Sequence, residues 1–575
     1  MAVAAAVVAG AAACSDDDRG GDGAAGEAEA ADAAAPTEWL TVGGDLANTR
    51  AVSGTDIDVG AVATLAPAWQ LGGVRGVTGT PAVADGTVYV GDWTSNVRAL
   101  DAATGEERWA HDLDTSYVGG AVAVDDDHVY VGTFDARVVA LDRATGVPAW
   151  QTEVDPYPKA VVFGSPVVAD GLVVTGVGSF EVFVPSDPPT FRGTVVALDA
   201  ATGAEAWRFD VTDAAAGEGA GVSVWSSPAI DAERGVLYIG TGQAYSLPAP
   251  ARSDSLVAID LATGEEVWHT QFTAGDAWSV ALPSGKDADV GAVPNLFTVG
   301  GTDAVGVGDK AGTYRALDRE TGDVLWEAPL TAGGLQGGVM ASAAVAERTV
   351  FVASNDNSQN ADLVALDADT GEERWRVGVE AHVTGPVTWA DGVLYLADDS
   401  GRIAAYDAAD GTRLWAFETT FPAAGGISVV DGTVFAGWGW WLAGAPDDAD
   451  GGLIAFRPGG DGGAGGAGTG DEATDDAADG GGLASPGDTA GEGPGDGRDV
   501  YLQHCASCHG GNGEGSSGPS LAGVADRLGL DEHEAVVRTG RGEMPGWDGT
   551  LTDAQIDAVV AYERDVLSAE ASGAG

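Results

Sequence analysis

Apolar and polar positions alternate along most of the first 460 residues, in short runs separated by Gly- and Asp-containing turns such as VADGTVYVGD and WADGVLYLADD. A period of two is the mark of a half-buried strand, and Asp-Gly between two such runs reverses the chain into a hairpin. One unit recurs as ALDAATGEERW (99–109), ALDRATGVPAW (140–150), ALDAATGAEAW (197–207), AIDLATGEEVW (258–268), ALDRETGDVLW (316–326) and ALDADTGEERW (365–375), with a worn copy, AYDAADGTRLW, ending at Trp415. In each copy an alternating run ends at Asp, a Thr-Gly or Asp-Gly turn reverses the chain, and a Trp opens the next strand. Three or four strands per unit, repeated at roughly 40–60 residues, is how the blades of a β-propeller read.

The tryptophans count the blades. Trp109, Trp150, Trp207, Trp268, Trp326, Trp375 and Trp415 make seven. The last strand signal, GGLIAF (451–456), has no Trp after it, and Trp69 in LAPAWQL has no repeat before it. If the N-terminal strand completes the last blade, the two irregularities cancel and the ring closes with eight blades; seven is the alternative. Closure removes exposed strand edges. The repeat Asp and Trp residues are expected to hold the fold rather than to carry chemistry.

The pattern then changes twice. Residues 458–497 are almost entirely Gly, Ala, Asp, Glu, Thr, Ser and Pro, a coreless linker spanning about 35 Å as a flexible coil. Next comes YLQHCASCHGGNGEG. Cys-x-x-Cys-His attaches haem of the c type: Cys505 and Cys508 form the thioethers, and His509 follows at the spacing that reaches the iron. A low-spin carrier needs a second axial ligand, and Met544 in GEMPGW supplies a thioether. The segment 550–567 then reads as an amphipathic helix with Thr552 as N-cap and Ile556, Val559, Val560 and Leu567 apolar. A zinc or thiol-redox site, the competing meaning of Cys-x-x-Cys, lacks a second Cys pair and leaves Met544 idle. The segment resembles a class I cytochrome c, including GPSLAG (518–523) before the distal ligand.

Composition narrows the function classes. Asp and Glu number 88 against 27 Lys and Arg, for a net charge of −61, which excludes a nucleic-acid partner because phosphate binding needs a basic face. The acid is spread along the chain and reads as a solvated, salt-adapted surface, with steering of a basic electron-transfer partner as the functional alternative. Only three cysteines are present, so no disulfide framework is available. The third, Cys14, ends AVVAGAAACSDDD, which resembles the end of a bacterial lipoprotein signal without its basic n-region. The expectation is an exported protein, periplasmic or at the cell surface, whose membrane contact is a lipid on Cys14; a plain signal peptide is the alternative.

The repeats also resemble the quinoprotein dehydrogenases, and blades 3 to 5, which carry insertions, resemble the pyrroloquinoline quinone (PQQ) dehydrogenases and their polyvinyl-alcohol dehydrogenase-like branch. That resemblance implies roles for specific residues. Glu181 and Gln243, the latter standing in TGQ where the family usually has Asn, would hold Ca2+; Trp225 would stack under the quinone; and Lys310 in VGDKAG would contact it. Of the family's D-x-W-D run the chain keeps Asp276 but has Ser279 at the position of the catalytic base, leaving Asp276, Asp287 or Asp289 to take the proton. The cysteine pair that caps the quinone in many members is absent. The chemistry stands apart from the name: a flat tricarboxylate wants an aromatic floor and a cation, a hard divalent ion polarises a quinone carbonyl, and a carboxylate must accept the hydroxyl proton.

The expected organisation is a signal-like segment and acidic spacer over 1–36, an all-β eight-bladed propeller over 37–457, the linker 458–497, a small all-α cytochrome c domain over 498–568 and a tail over 569–575. The expected function is oxidation of a small or polymeric alcohol at PQQ and calcium. Electrons would pass through haem c to an external acceptor such as a soluble cytochrome or a respiratory oxidase. The alternative is a non-catalytic binding propeller carrying an electron-relay cytochrome.

Overall fold

The computed structural model describes residues 38–459 except 115–116, 185, 283–284, 335–336, 357–359 and 440–449; beyond these it describes 497, 500–501, 505, 520–521, 523–541, 547 and 551–567. The alternating runs form eight sheets of four or five strands, antiparallel throughout except where Ala51–Val52 joins one of them in parallel. Blade 1 consists of Ala82–Ala84, Thr87–Gly91, Asn96–Asp101 and Glu107–Asp112. Blades 2 to 7 follow over 123–153, 160–210, 229–271, 295–329, 344–379 and 388–418. Blade 8 takes its inner strands from 427–458 and its outer strand from Leu65–Val74, which pairs antiparallel with Gly451–Pro458. Eight blades close the ring through the N-terminal strand carrying Trp69, as the tryptophan count requires.

The repeat motif works locally and between blades. In blade 1 the Asp101 carboxylate accepts the backbone N–H groups of Ala103 and Thr104 at 3.0 and 2.9 Å, and Gly105 at φ +75° completes the reversal. The next strand then lifts a Trp toward the following blade. Its indole N–H donates to a backbone carbonyl there: Trp109 to Arg143, Trp150 to Ala200, Trp207 to Leu261, Trp268 to Arg319, Trp326 to Ala368, Trp375 to Ala408, Trp415 to Leu65 and Trp69 to Ala102, all at 2.8–3.1 Å. The circuit passes through every blade and returns to its start. The rings lie on the turn glycines; a Cβ on Gly371 would sit 2.5 Å from the Trp326 ring, and one on Gly105 2.6 Å from Trp69.

A feature absent from the repeat closes the middle. Residues 39–52 run across the inner strands and pair with one blade after another: Trp39 with Val83, Leu40 with Val124, Leu46 with Ile230, Ala47 with Leu296, Thr49 with Val345 and Arg50 with Trp389, at 2.7–2.9 Å. The fully buried Arg50 guanidinium donates to the carbonyls of Val387 and Val42 and to Thr388 Oγ1, and lies over the Trp39 ring. Burial pulls it down to about 9, against the pull of Asp45. This strap explains how a Gly-rich ring with short inner strands keeps its centre filled.

Near the C-terminus the helix runs over Asp553–Tyr562. Thr552 and Gln555 form a reciprocal capping box at its start, and a π-helical turn, Glu563–Leu567, follows. Ile556, Val559, Val560 and Leu567 pack with Tyr501, Cys505, Val524 and Val537 in one small core, where His533 and Glu563 pair at 2.8 Å. Cys505 is therefore interior, 3% exposed. Cys14, Cys508, His509 and Met544 lie outside the described residues. No helix among those described is long and apolar enough to cross a membrane.

Gly371→Ala adds a Cβ against Trp326 at a left-handed φ of +71° and is expected to destabilise the propeller by roughly 2–4 kcal/mol in urea unfolding followed by tryptophan fluorescence. Gly378→Ala in the same blade meets nothing within 4 Å and is expected to change stability by less than about 1 kcal/mol. Equal losses at the two positions would remove the turn–indole contact as the cause.

Candidate functional site

The departures from the repeat meet at one end of blades 3 to 5. After the second strand of blade 3, Ser179 caps the short 3-10 turn Phe180–Val182 by accepting the Glu181 N–H. Glu181 is fully buried. Its Oε1 accepts the Tyr157 hydroxyl, and its Oε2 accepts the N–H groups of Thr190 and Phe191 at 3.1 and 2.9 Å. Burial raises this carboxyl, but the bonds from Tyr157, Ser186 and the backbone outweigh it and hold the group below its usual value.

In blade 4, Ser223 ties three segments together: its hydroxyl accepts the Ser179 N–H at 3.0 Å and bonds the Tyr245 hydroxyl at 2.5 Å. Trp225 follows two residues later and is among the groups that hold the Asp289 carboxyl down against its burial. Gln243 donates its backbone N–H to Asp289 Oδ1 at 2.6 Å and its side-chain Nε2 to the Trp278 carbonyl at 3.3 Å. Trp278 in turn donates to the Ala244 carbonyl at 2.8 Å, and Val280 to the Val182 carbonyl at 3.0 Å. The run Asp276–Val280 therefore bridges the Gln243 and Glu181 segments.

The chemistry concentrates on Lys310. Its ammonium lies 2.5 Å from Asp287 Oδ2 and 3.8 Å from Asp289 Oδ2, with all three residues under a tenth exposed. Burial pushes both aspartates above the usual carboxylate range, and Lys310 pulls them back. Two glycines make the room. A Cβ on Gly291 would collide with the Trp225 ring, and one on Gly242 would stand 2.6 Å from Asp289 Oδ1. Glu181, Trp225, Gln243, Asp287, Asp289 and Lys310 thus lie in one neighbourhood of blades 3 to 5. Asp276 borders it in a different role, its carboxylate accepting the backbone N–H groups of Lys286 at 2.7 Å and Ala288 at 3.0 Å and so shaping the loop that presents Asp287 and Asp289. Ser279 is buried in a turn closed by Leu282. Phe183, Val184 and Val280 leave an apolar rim, 58%, 59% and 47% exposed.

One residue of this neighbourhood carries no motif. Asp254, at φ +51° just before the third strand of blade 4, is fully buried with neither carboxylate oxygen partnered. Burial, then the charges of Asp289, Asp276 and Asp287, push it up to about 9. In ARSDSLVAID it looks like an ordinary strand-entry polar residue, and only the fold places its backbone on Gly242, beside Gln243.

The donor set decides what the site can hold. Among the described residues no three His, Cys, Asp or Glu side chains converge closely enough to ligate a metal by themselves. A hard cation here would draw on mixed oxygens, such as those of the Gln243 amide and the Glu181 carboxylate. The buried acids Glu181, Asp254, Asp276, Asp287 and Asp289 against the single cation Lys310 leave an excess of negative charge that such an ion would offset. The indole of Trp225 over a glycine, next to an ammonium, suits a flat anionic ring system.

Residues 39–332 match the propeller-domain model of glucose/ethanol/alcohol dehydrogenases, 310–460 that of an outer membrane protein assembly factor, and 493–562 that of the cbb3-type cytochrome c oxidase subunit III. The chain is 26% identical to a polyvinylalcohol dehydrogenase of Pseudomonas sp over 437 residues, which is 68% of each chain. It is 30% identical to the quinohemoprotein alcohol dehydrogenase ADH IIB of Pseudomonas putida over 285 residues, 42% of this chain and 40% of the relative. In structure it resembles the quinohemoprotein alcohol dehydrogenase of Comamonas testosteroni at a TM-score of 0.64 and 22% identity, covering 93% of this chain and 96% of the other.

The raised carboxyls predict how stability varies with pH. A folded state that keeps Asp254 protonated binds a proton the unfolded chain releases, so stability falls as pH rises from the ordinary aspartate value of 3.8 toward about 9. Asp254→Asn removes that loss. Between pH 5 and pH 8 the variant is expected to lose less stability than the native chain by about 4 kcal/mol in denaturant titrations. Parallel pH profiles would show that Asp254 is ionised in the folded protein.

Proposed function

The chain belongs to the PQQ propeller family of glucose/ethanol/alcohol dehydrogenases, and on that premise we propose that it oxidises an alcohol at the Trp225–Asp289–Lys310 neighbourhood and passes the electrons to a covalently bound haem c. The observation that carries this reading is the buried Lys310 set against Asp287 and Asp289 beside an indole that only glycine accommodates. PQQ, when bound, supplies a two-electron acceptor for the carbon-bound hydrogen of the alcohol.

The residues of the chain do the rest. Trp225 presents the floor for a planar ring and Lys310 the positive charge for its oxygens. Glu181 and Gln243 would supply oxygen donors for Ca2+, with Gln243 one methylene longer than the Asn usual at that position. Asp289 is the base we assign. Asp287 is neutralised by direct contact with Lys310, and both oxygens of Asp276 rest on backbone amides, whereas Asp289 Oδ2 stands 3.8 Å from the ammonium. A carboxylate held above its usual range by burial is suited to accept a hydroxyl proton near neutral pH.

Electrons then leave through haem attached at Cys505 and Cys508, with His509 and Met544 as axial ligands, to an external acceptor such as a soluble cytochrome or a respiratory oxidase. The linker 458–497 gives the haem domain of 498–568 its reach from the propeller of 37–457. Export, with a lipid on Cys14, follows from the signal-like N-terminus of 1–36. A second reading, a binding propeller with an electron-relay cytochrome, is favoured by the full hydrogen bonding of Glu181 and by Ser279.

The two readings separate on titrating PQQ and Ca2+ into purified, haem-loaded protein and adding an alcohol. Reduction of the haem bands that needs all three supports the dehydrogenase, while a haem reducible by dithionite in a chain that takes up no PQQ supports the binding propeller. In the active protein Asp289→Asn is expected to lower kcat by about 10²–10⁴-fold. Asp276→Asn retaining less activity than Asp289→Asn would move the base to Asp276.

A further inference from the structure

One backbone bond recurs in seven blades at the end that carries the site: a residue at the close of the second strand donates its N–H to the loop leading into that blade. In blade 5 it joins Lys310 to the Asp289 carbonyl at 2.9 Å, in blade 4 Gly242 to Ser223 at 2.8 Å, and in blade 7 Asp399 to His382 at 2.9 Å. Trp93, Phe134, Asn355 and Gly439 make it in blades 1, 2, 6 and 8. The repeat therefore sets Lys310 and Asp399 in the same place of two blades. Of the seven side chains at this place these two alone are charged, and their signs are opposite. Two residues after the loop acceptor, blade 4 has Trp225 and blade 7 has Thr384, whose hydroxyl donates to Asp399 Oδ1 at 2.9 Å.

Blade 7 lacks a cation that the repeat supplies elsewhere. In blades 1 and 5 the carboxylate just before this place, Asp92 or Asp309, is answered by an arginine further along the blade, Arg98 at 2.8 Å or Arg315 at 2.5 Å. In blade 7 the carboxylate is Asp398, and the matching position holds Ala404. Asp398 Oδ2 is buried without a partner. The nearby basic groups are already paired. Arg402 meets Glu380 and Glu418 at 2.7 and 2.8 Å, and His382 gives its Nε2–H to the Asp356 carbonyl at 3.0 Å. Asp399 is half-buried, and its side chain accepts one bond, from Thr384. Burial, opposed by that bond and helped by the Asp398 charge, pushes its carboxyl up to about 6, which leaves it ionised at neutral pH. A half-buried carboxylate without a cation costs free energy until a positive group reaches it.

We propose that Asp399 is a specificity-determining residue of the oxidising site and binds an ammonium group of the substrate, which makes amino alcohols the preferred class. The assignment rests on the reading of the Lys310 neighbourhood as that site. A plain alcohol leaves the carboxylate as it stands. A second hydroxyl donates to it without offsetting its charge. An ammonium does both, through charge-assisted hydrogen bonds to the capacity that Thr384 leaves open. Because Lys310 and Asp399 stand two blades apart, a carbon chain must separate the oxidised hydroxyl from the ammonium, and the preference depends on its length.

Haem reduction in the full chain loaded with PQQ and Ca2+ tests this with ω-amino alcohols of increasing length, each against the n-alkanol and the α,ω-diol of matched length. At the best length, kcat/KM for the amino alcohol is expected to exceed that for the alkanol by about tenfold or more, with the diol between them. Asp399→Asn should reduce that ratio by about tenfold. Glu380→Gln, at an exposed acid of the same loop, should leave the ratio within about twofold, which separates Asp399 from the general pull of an acidic surface. No preference for the ammonium, a preference unchanged in Asp399→Asn, an equal loss in Glu380→Gln, or a diol ahead of the amino alcohol would overturn the proposal. Ligand-observed NMR of the same amino alcohols with haem-loaded, PQQ-free protein gives a second readout. Saturation transfer is expected from the native chain and lost in Asp399→Asn; equal or absent signals would overturn the proposal as well. A chain that fails the cofactor titration can still show this contact, which separates failure of the oxidising site from failure of Asp399.

Discussion

The structure depends on the hydrogen bond from one indole to a backbone carbonyl of the following blade, made eight times around the ring. Seven of these Trp rings cover a turn whose glycine has no Cβ to obstruct it, and all eight donate to a backbone carbonyl of the next blade. A hydrogen bond of this kind contributes about 1 kcal/mol and the buried ring about 2–3 kcal/mol more. The contact ties neighbours only, so a ring of such blades holds when the last is tied to the first. Trp415 donating to Leu65 and Trp69 donating to Ala102 make that tie, and the pairing of Leu65–Val74 with Gly451–Pro458 carries it.

With the outside of the ring held by indoles and its middle crossed by the strap of 39–52, blades 3 to 5 are free to depart from the pattern at one end. What they build there would be costly in a less constrained fold. Five buried carboxylates share a neighbourhood with one lysine, and Asp254 has no partner for either oxygen. Such a concentration opposes folding unless protons or a cation offset it. The backbone amides of Thr190, Phe191, Gln243, Lys286 and Ala288 hold Glu181, Asp289 and Asp276 in place, and this bonding confines the freedom of the site to Asp287 and Lys310.

Much of this was legible in the chain. Period-two alternation and the Asp-x-x-Thr-Gly turns give the blades, and the mismatched Trp69 and GGLIAF give their number, because both depend on local chemistry repeated many times. The capped helix after Thr552 was legible for the same reason. The strap was not, since Arg50 and Asn48 are single polar residues whose partners lie hundreds of positions away. Nor was Asp254, whose partnerless carboxylate is a product of blade packing. The division of labour among Asp276, Asp287 and Asp289 needed coordinates, because three acids within fourteen residues differ only in which backbone amides they meet.

The central claim is that Trp225, Lys310 and Asp289 together receive the quinone, and a crystal structure of the full chain with PQQ and Ca2+ tests it most directly. The account predicts a flat tricyclic ligand against the Trp225 indole with the Lys310 ammonium turned to its oxygens, and an ion among the oxygens of Glu181 and Gln243. PQQ bound elsewhere, or Lys310 still on Asp287 at saturating PQQ with nothing against Trp225, would contradict it.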